Sequence, residues 1–269
     1  MTTDQGFDWA PTRLSVILPA YNEAATIGSV IDQVLALEIP EVEIELIIVE
    51  SNSTDGTREI VRSVAHHPRV TLIEQERPQG KGNAVREGLQ HVTGDIVLIQ
   101  DGDLEYRIDE YPLVLRPLLA GEADFALGCR HAGGRAMRHF QDQRIRSRVM
   151  NAAHWAFTGM FNTVYRTRLK DPFTMYKVFR TKCIDGVPFV ANRFDFDWEL
   201  AAKLVRLGHI PVEVPITYTS RSYEEGKKVR FFRDPLTWIV ALVRFRFTRL
   251  VPREPVRRSR RAGSVDKTG

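Results

Sequence analysis

Apolar residues in the first part of the chain occur in short runs that alternate with amphipathic stretches. Residues 96–99 (Ile-Val-Leu-Ile) are typical of a strand that is buried on both faces, and similar runs cover 14–18, 44–49 and 70–74. Between these runs, apolar residues recur at intervals of three or four, which predicts helices. Strands that alternate with helices in this way indicate an α/β protein with a parallel sheet and right-handed crossovers.

The second half of the chain shows a less regular pattern of the same elements. Pro19 is expected to end the first strand, and Asn22 to cap the first helix. Helices are predicted over residues 109–120, 196–207 and 235–249. One further helix is predicted to end at residue 158. Extended segments are predicted over 124–128, 173–179 and 209–218, with a glycine-rich and then basic stretch at 131–148 and a basic loop at 221–233.

The pattern shows neither an internal repeat nor a long linker. We therefore expect a flexible leader over residues 1–13 and one domain over residues 14–233. That domain has a regular first half, 14–106, and a less regular second half, 107–233. An amphipathic helix and a basic tail are expected over residues 234–269.

Three acidic side chains, Asp101, Asp103 and Glu105, directly follow the fourth predicted strand. Because a buried strand cannot carry unpaired charges into the core, they are expected at its carboxyl end, where ligands bind in open α/β sheets. Carboxylates this close repel one another unless a cation lies between them, and a divalent metal shared with a phosphate ligand would satisfy them. A solvated Asp-Gly turn is the alternative interpretation.

Composition narrows the class and the location of the protein. A hydrophobic fraction of 43% and a charged fraction of 27% are ordinary for a soluble globular protein of 269 residues. The net charge of +4 is concentrated near the end, where residues 244–261 hold eight arginines and a single acid, Glu254. Two cysteines, Cys129 and Cys183, and the lack of a signal peptide favour a reducing cytoplasm. No apolar run reaches the roughly 20 residues that span a bilayer.

The basic terminus has two interpretations. It is either a solvated extension or, beside an apolar helix, a segment that lies on anionic lipid. Nucleic-acid binding is disfavoured because the arginines form one short run without an aromatic stacking platform. We expect a cytoplasmic protein in peripheral contact with the inner face of an anionic membrane.

Five short stretches, taken in order, resemble those of one enzyme family. They are Pro19-Ala20-Tyr21-Asn22-Glu23, Ser53-Thr54-Asp55-Gly56-Thr57, Gly80-Lys81-Gly82-Asn83-Ala84, Gly94-Asp95 with Asp101-Gly102-Asp103, and Asp171-Pro172-Phe173-Thr174-Met175-Tyr176-Lys177. From about residue 14 to about 233, the chain resembles glycosyltransferase family 2 and, within it, polyprenyl-phosphate sugar synthases such as the dolichyl-phosphate mannose and glucose synthases. The resemblance implies a GT-A fold, with a Rossmann-like, mostly parallel central sheet flanked by helices.

The resemblance also implies that residues 14–106 form the nucleotide-binding half of the domain and residues 107–233 the acceptor half. The residues that would bind a nucleotide sugar come mainly from the first half. They are Pro19, Ala20, Tyr21, Glu23, Glu50, Ser51, Asn52, Lys81, Asp101, Gly102, Asp103 and, from a loop that would close over the diphosphate, Lys227. The family usually has Asp-Asp-Gly where Glu50, Ser51 and Asn52 stand, so the identity of the base stays open. Without the resemblance, the loop around Lys81 is either an anion site at a helix amino terminus or a plain turn.

Metal binding and catalysis are implied for the acidic stretch and for two arginines. Asp103 and Glu105 would ligate Mg²⁺ or Mn²⁺, with Asp101 on the ribose or the metal, and Glu105 stands where the lipid-phosphate synthases commonly have Gln. Arg130 and Arg144 align with a segment that supplies arginines to two phosphates in those synthases, and the planar guanidinium suits phosphate oxygens. With Asp101 and Asp103, these arginines form the expected catalytic set.

The implied reaction moves a hexose, with inversion, from a donor of the GDP-mannose or UDP-glucose type to a polyprenyl phosphate. This acceptor needs no strong base, because its second pKa of about 6 leaves it largely ionised near neutrality. A saccharide hydroxyl is the alternative acceptor, and it needs a carboxylate base, for which Asp195 and Asp197 are the candidates. The arginines, the stretch 171–177 and the basic terminus favour the lipid phosphate.

Two further classes of protein stay open. A nucleotidyltransferase would also place acids and a phosphate-binding loop at the sheet edge, but its usual glycine-arginine loop is absent after the first predicted strand. A non-catalytic nucleotide-sugar-binding protein would bind the donor without turnover. The oligomeric state, a homo-oligomer included, is left open by the sequence.

Overall fold

The chain folds around one seven-stranded sheet with helices on both faces. The computed structural model describes residues 11–131, 144–193, 195–219, 234–248 and 250, and for 144–150 and 234–239 it describes the backbone alone. Strands β1 to β7 cover Thr12–Ala20, Val42–Glu50, Val70–Glu74, Ile96–Ile99, Phe125–Cys129, Lys177–Arg180 and Val212–Pro215. Helices α1 to α7 cover Ile27–Ala36, Thr57–Ser63, Lys81–Leu89, Tyr111–Leu119, Arg144–Tyr165, Phe196–Arg206 and Asp234–Phe247. Two 3₁₀ turns cover Ile108–Glu110 and Thr181–Ile184.

The sheet has the strand order β3-β2-β1-β4-β6-β5-β7. Strands β1 to β4 are parallel to one another, so the loops that follow them open on one edge. Strand β6 runs antiparallel to β4 and β5, while β5 and β7 are parallel. The predicted α/β class with a mostly parallel central sheet is confirmed, and the antiparallel β6 is the exception.

Alternation along the buried strands builds two hydrophobic cores, one on each face of the sheet. In β1, Leu14, Val16 and Leu18 belong to the core that contains residues of α1, α2 and α4. Ile17 belongs to the other core, which contains residues of α3, α5, α6 and α7. Side chains on neighbouring positions of a strand point to opposite faces, so the run of apolar residues is needed to fill both layers.

Two expectations about the start of the fold are wrong. Pro19 does not end β1, which continues to Ala20. The pairing of β1 with β4 stops at Ile17 opposite Ile99, so the N–H group that proline lacks falls beyond the last bond to β4. Asn22 does not cap α1, which begins at Ile27 with Thr26 at its N-cap position, four residues after Asn22.

The predicted strand over residues 173–179 is shorter in the structure and begins at Lys177. The residues before it form a turn, in which the amide of Thr174 donates to the carbonyl of Asp171 at 3.4 Å. The hydroxyl of Tyr106 accepts the amide of Met175 at 3.1 Å, so this amide is not available to a strand ladder. Apolar periodicity could not reveal a contact between residues so far apart in the sequence.

The other predicted elements differ from the observed ones mainly at their ends. Helix α5 continues seven residues beyond the predicted end, to Tyr165. The predicted helix over 109–120 is a 3₁₀ turn followed by α4. Among the described residues, no helix combines the length and the apolar character that a bilayer-spanning segment needs. The predicted leader and most of the two predicted basic stretches and of the tail lie outside the described part of the chain. The residues concerned are 1–10, 132–143, 220–233 and 251–269.

Candidate functional site

The loops after β1, β2 and β4 are joined by hydrogen bonds at the carboxyl edge of the sheet. The side-chain oxygen of Asn22 accepts the amide of Thr54 at 2.9 Å, and the amide of Asn22 donates to the hydroxyl of Ser53 at 3.0 Å. Thr26 donates its hydroxyl to the carbonyl of Gly102 at 2.6 Å, which ties the start of α1 to the acidic loop. Asn22 therefore fixes the neighbouring loop where the sequence suggested a helix cap.

The loops after β2 and β3 are joined in the same way. The hydroxyl of Ser51 donates to Gln75 Oε1 at 2.9 Å, and Gln75 Nε2 donates to Asn83 Oδ1 at 2.8 Å. The side-chain amide of Asn52 donates to the carbonyl of Glu76 at 2.9 Å. These bonds give the predicted base-reading residues Ser51 and Asn52 fixed positions at the edge where ligands bind in such sheets.

Glu50, the third residue of that predicted set, is fully buried and shapes the loop from within. Its two carboxylate oxygens accept hydrogen bonds from the amide of Ser53 at 2.6 Å and from Arg58 Nε at 2.8 Å. Burial would raise the pKa of Glu50, but these hydrogen bonds and the charge of Arg58 outweigh it and lower the pKa. Direct contact between Glu50 and a base stays a prediction. The contacts that Glu50 makes in the structure, with Ser53 and Arg58, hold the loop in place.

The residues at the end of β1 line the same edge. Pro19 and Ala20 are the last two residues of the strand, and Tyr21 is 38% exposed directly after it. The amide of Glu23 donates to Thr57 Oγ1 at 2.8 Å, and the side chain of Glu23 lies beside Gly102 of the acidic loop. The predicted nucleotide-binding residues of this loop are therefore neighbours of the acidic loop.

The acidic loop presents three carboxylates just beyond β4, as the sequence predicts. Asp103 Oδ1 accepts the amide of Glu105 at 3.1 Å, and Glu105 Oε2 accepts the hydroxyl of Tyr218 at 2.8 Å. Asp101 forms an ion pair with Lys81, and the two side chains are only 15% and 16% exposed. Carboxylate oxygens are the ligands that Mg²⁺ prefers, so these residues fit a hard divalent cation.

The two glycines around Lys81 are required by close packing. A Cβ atom on Gly80 would overlap the carbonyl oxygen of Asn192, and one on Gly82 would lie 2.6 Å from Phe196 Cβ. Gly80 also has a φ of +99°, which favours glycine. The sequence left an anion site and a plain turn open for this loop, and in the structure its glycines allow the start of α3 to pack directly against the start of α6.

That packing brings Lys81 into a cluster of buried charges with Asp101, Asp197 and Lys177. Asp197 is 5% exposed, and its Oδ1 lies 3.5 Å from Lys177 Nζ. Burial raises the pKa of Asp197, although both lysines oppose the rise, and burial lowers the pKa of Lys177. The other candidate base, Asp195, accepts the amide of Arg193 at 3.0 Å at the start of α6.

Arg130 is held by a buried ion pair with Asp171. The guanidinium donates from Nε at 2.8 Å and from a terminal nitrogen at 2.7 Å, and the amide of Arg130 donates to the same carboxylate at 3.0 Å. Burial alone would raise the pKa of Asp171, but the charge and the hydrogen bonds of Arg130 hold it well below its usual range. Arg130 is thus fixed in one orientation, and its contact with a phosphate stays a prediction.

Tyrosines connect this arginine to the acidic loop. Tyr218 donates to Glu105, and its ring lies beneath the guanidinium of Arg130, 5.2 Å from the ring centre. Tyr106, the next residue after Glu105, has its hydroxyl 3.3 Å from a terminal nitrogen of Arg130. The predicted metal loop and the predicted phosphate-binding arginine are therefore neighbours in the structure, joined by two tyrosines.

Sequence reasoning assigned no role to Asp171, Lys177 or Tyr218. One available signal was Lys177, a charged residue among the mostly apolar residues of the predicted strand over 173–179, which requires a buried partner. Two predicted site residues cannot be placed: Lys227 lies outside the described residues, and of Arg144 only the backbone is described, at the start of α5. Gly94, from the five motifs, lies before β4 at the opposite edge of the sheet.

The sequence of this chain is similar to those of known glycosyltransferases. A model of the family described as glycosyl transferase family 2 matches residues 15–200. Glycosyltransferase AglJ of Haloferax volcanii is 28% identical over 212 residues, which are 78% of this chain and 64% of that protein. Dolichyl-phosphate beta-glucosyltransferase ALG5C of Trichomonas vaginalis is 38% identical over 102 residues, which are 35% of this chain and 30% of that protein. The chain thus spans less than two thirds of the length of these curated relatives.

Solved structures give the same family of folds. Glucosyl-3-phosphoglycerate synthase of Mycobacterium tuberculosis in complex with UDP has a TM-score of 0.62 at 23% identity, covering 88% of this chain and 81% of that chain. Its complex with Mn²⁺, UDP-glucose and phosphoglyceric acid has a TM-score of 0.61 at 24% identity, covering 88% and 80%. This likeness confirms the predicted GT-A fold. The family model covers more than half of the chain, and the chain belongs to glycosyl transferase family 2.

Proposed function

We propose that this protein is a metal-dependent glycosyltransferase that moves a hexose from a nucleotide sugar to the phosphate of a polyprenyl phosphate. One observation carries the proposal: Tyr218 contacts both Glu105 and Arg130, so a carboxylate loop suited to a metal adjoins a fixed guanidinium suited to phosphate. A donor diphosphate and an acceptor phosphate would both be recognised there. The relative named as a dolichyl-phosphate glucosyltransferase supports the lipid acceptor.

The donor would lie across the joined loops at the carboxyl edge of the sheet. Ser51, Asn52 and Tyr21 would contact its nucleoside, and Asp101, Asp103 and Glu105 would hold the divalent cation. When bound, this cation stabilises the negative charge that develops on the departing diphosphate. Lys81 would add a second positive charge at the same end of the donor.

The acceptor side of the site would need to orient a phosphate more than to remove a proton. A phosphate monoester is largely ionised at neutral pH, so its oxygen attacks the anomeric carbon without a strong base. Arg130 is already rigid through Asp171, so little conformational entropy is lost when it binds a phosphate oxygen. Arg144 is proposed as the second phosphate ligand.

A saccharide hydroxyl as acceptor is the second candidate function, and the position of Asp197 favours it. This carboxylate lies in the charged cluster with Asp101, and burial raises its pKa toward the range of a general base. A small phosphate ester is a further variant, since a relative named glucosyl-3-phosphoglycerate synthase is 43% identical over 118 residues, 40% of this chain and 35% of that protein.

Peripheral contact with a membrane is part of the proposal. Val240, Val243 and Phe247 recur at helical spacing on α7 and are 64%, 51% and 77% exposed. Arg244 and Arg246 are exposed on the same helix, and apolar residues beside arginines suit an anionic lipid surface. Such contact would place the site near a lipid acceptor at the cytoplasmic face of a membrane.

Release of nucleoside diphosphate by the purified protein tests the proposal. Each of a panel of UDP- and GDP-sugars would be tested with Mg²⁺ or Mn²⁺, alone, with a short polyprenyl phosphate, and with 3-phosphoglycerate. We expect one donor to give release that rises sharply with the lipid phosphate. Stimulation by 3-phosphoglycerate alone would replace the lipid with a small phosphate, and a failure of every donor to bind would overturn the transferase assignment.

A further inference from the structure

The ion pair between Lys81 and Asp101 occupies a position that a cation would need. Asp101 is the first of the three carboxylates after β4, and Lys81 Nζ contacts its Oδ1. The ammonium group of Lys81 neutralises the charge of Asp101, and a cation that bound the same carboxylate would lie close to that ammonium group and be repelled by it. Lys81 and a divalent cation are therefore alternative counter-charges for Asp101.

Asp197 is the second carboxylate that acts on Lys81. Burial alone would lower the pKa of Lys81, but Asp101 and then Asp197 outweigh it, and the pKa is raised. The starts of α3, which carries Lys81, and of α6, which carries Asp197, are in contact: a Cβ atom on Gly82 would lie 2.6 Å from Phe196 Cβ. The amide of Asn83 also donates to the carbonyl of Asn192, just before α6, at 3.0 Å. Among the described residues, no hydrogen bond is formed by Asp197 Oδ1, which lies 3.5 Å from Lys177 Nζ.

We propose that Lys81 and a divalent cation compete for Asp101, and that Asp197 is a positioning residue that stabilises Lys81 after the cation has displaced it. The inference rests on the metal site of the proposed function but not on the identity of the acceptor. In the structure, two lysines and two carboxylates balance one another: Lys81 and Lys177 against Asp101 and Asp197. Once a cation takes the charge of Asp101, Asp197 is the remaining carboxylate of this cluster.

Lys177 is not able to take the place of Lys81 in this exchange. Its ammonium group donates to the carbonyl of Thr174 in the turn before β6, and its side chain is fully buried. Lys81 extends instead from the first residue of α3, at a loop edge, where its four-carbon side chain can change rotamer. Lys81 is therefore the lysine of this cluster that we expect to change its contacts when a cation binds.

The competition makes a prediction about metal affinity in the absence of any nucleotide. Lys81→Met removes the competitor, so Mn²⁺ should bind at least about fivefold more tightly than to the wild type. Asp197→Asn removes the residue that stabilises displaced Lys81, so Mn²⁺ should bind about fivefold or more weakly. When Asp197→Asn is combined with Lys81→Met, it should no longer weaken Mn²⁺ binding, because Asp197 acts only through Lys81. The Mn²⁺ affinity of the double variant should therefore equal that of Lys81→Met.

Electron paramagnetic resonance of free Mn²⁺, titrated with the full-length protein, measures these affinities without requiring turnover. Lys182→Met is the matched control, because this lysine is 61% exposed and pairs with Asp124 away from the cluster. Thermal unfolding of each variant shows that it is folded, and Lys81→Met alone suffices for the competition if Asp197→Asn does not fold.

Each outcome has one meaning. Unchanged or weaker Mn²⁺ binding by Lys81→Met would overturn the competition, and equal losses from Asp197→Asn with and without Lys81 would show that Asp197 acts on the cation directly. If the wild type and all variants bind Mn²⁺ equally, the inference fails and the proposed metal site stands. If the wild type binds no Mn²⁺ even with UDP or GDP present, the proposed metal dependence itself fails.

Discussion

Arg130 and Asp171 form a bidentate ion pair that is almost completely removed from solvent, with the guanidinium 6% and the carboxylate 0% exposed. The amides of Asp171 and Lys170 donate in turn to Glu213, the former at 2.6 Å. This network joins the strand end at Arg130 to the turn before β6 and to β7. It fixes an arginine in the half of the domain that sequence reasoning assigned to the acceptor.

Removal of one partner of this pair should destabilise the protein strongly. Asp171→Asn leaves the buried guanidinium of Arg130 without a counter-charge, which typically costs about 3–5 kcal/mol. Urea unfolding followed by circular dichroism measures the change. Asp109→Asn is the matched control, since its pair with Arg107 is exposed at the surface and should contribute much less.

The same pair predicts a pH dependence of stability. Because the pKa of Asp171 is lower in the folded state, its contribution is complete above the unfolded-state pKa of about 4 and is lost as the pH falls toward the folded-state value. The difference in unfolding free energy between the wild type and Asp171→Asn should therefore shrink below about pH 4. A difference that grows on acidification would contradict the assigned pair.

Turnover should depend on the negative charge of Asp103 but not on that of Glu105. Asp103→Asn should lower metal-dependent turnover by at least about a hundredfold, since it removes the charge of a carboxylate that we propose as a ligand of the cation. Glu105→Gln keeps an oxygen ligand at the same position and should retain most of the turnover. Nucleoside diphosphate release at saturating Mn²⁺ compares the two, and equal losses would show that their roles do not differ.

Addition of a single methyl group at Gly82 should destabilise the protein, because this position is closely packed. Gly82→Ala places a Cβ atom 2.6 Å from Phe196 Cβ and 2.8 Å from the carbonyl oxygen of Ala191, which should cost about 1–3 kcal/mol and weaken donor binding. Gly159→Ala, on an exposed and open position of α5, should instead stabilise the protein by about 0.5–1 kcal/mol. Thermal unfolding measures the stability of both variants. Similar changes in stability for Gly82→Ala and Gly159→Ala would contradict the assigned packing.

The exposed face of α7 should bind anionic vesicles. Tyr165 donates to the carbonyl of Leu242 at 2.8 Å, so the helix is fixed to the body of the protein. Val243→Asp should weaken binding to phosphatidylglycerol vesicles about tenfold, because burial of a valine contributes about 1.5 kcal/mol or more. Val212→Asp, at a residue that is 40% exposed on β7, should leave it unchanged in a co-sedimentation assay.

The first half of the fold could be predicted from periodicity because its strands are buried on both faces. The strand at Val70–Glu74 and the one at Ile96–Ile99 have the predicted bounds, and their loops open on the predicted edge. The motif around Asp101 was visible for the same reason, since acids after an apolar run must lie at its end. Family membership followed from the order of five motifs.

The contacts that assemble the site could not be predicted, because they join residues that are distant in sequence. Tyr106 accepts the amide of Met175, and Glu105 accepts the hydroxyl of Tyr218. Asn22 looked like a helix cap, but its side chain bonds to the loop after β2. Periodicity describes which face of an element is buried, and it carries no information on which loop a polar side chain will meet.

Transfer of labelled sugar tests the central claim most directly. The protein would be incubated with a radiolabelled nucleotide sugar, Mg²⁺ or Mn²⁺ and a short polyprenyl phosphate, and the label would be followed into an organic extract. We predict label in a lipid that releases the sugar on mild acid treatment, dependent on the metal and absent with Asp103→Asn. Label that stays in the aqueous phase with the lipid present, or that enters the lipid equally with Asp103→Asn, would contradict the account.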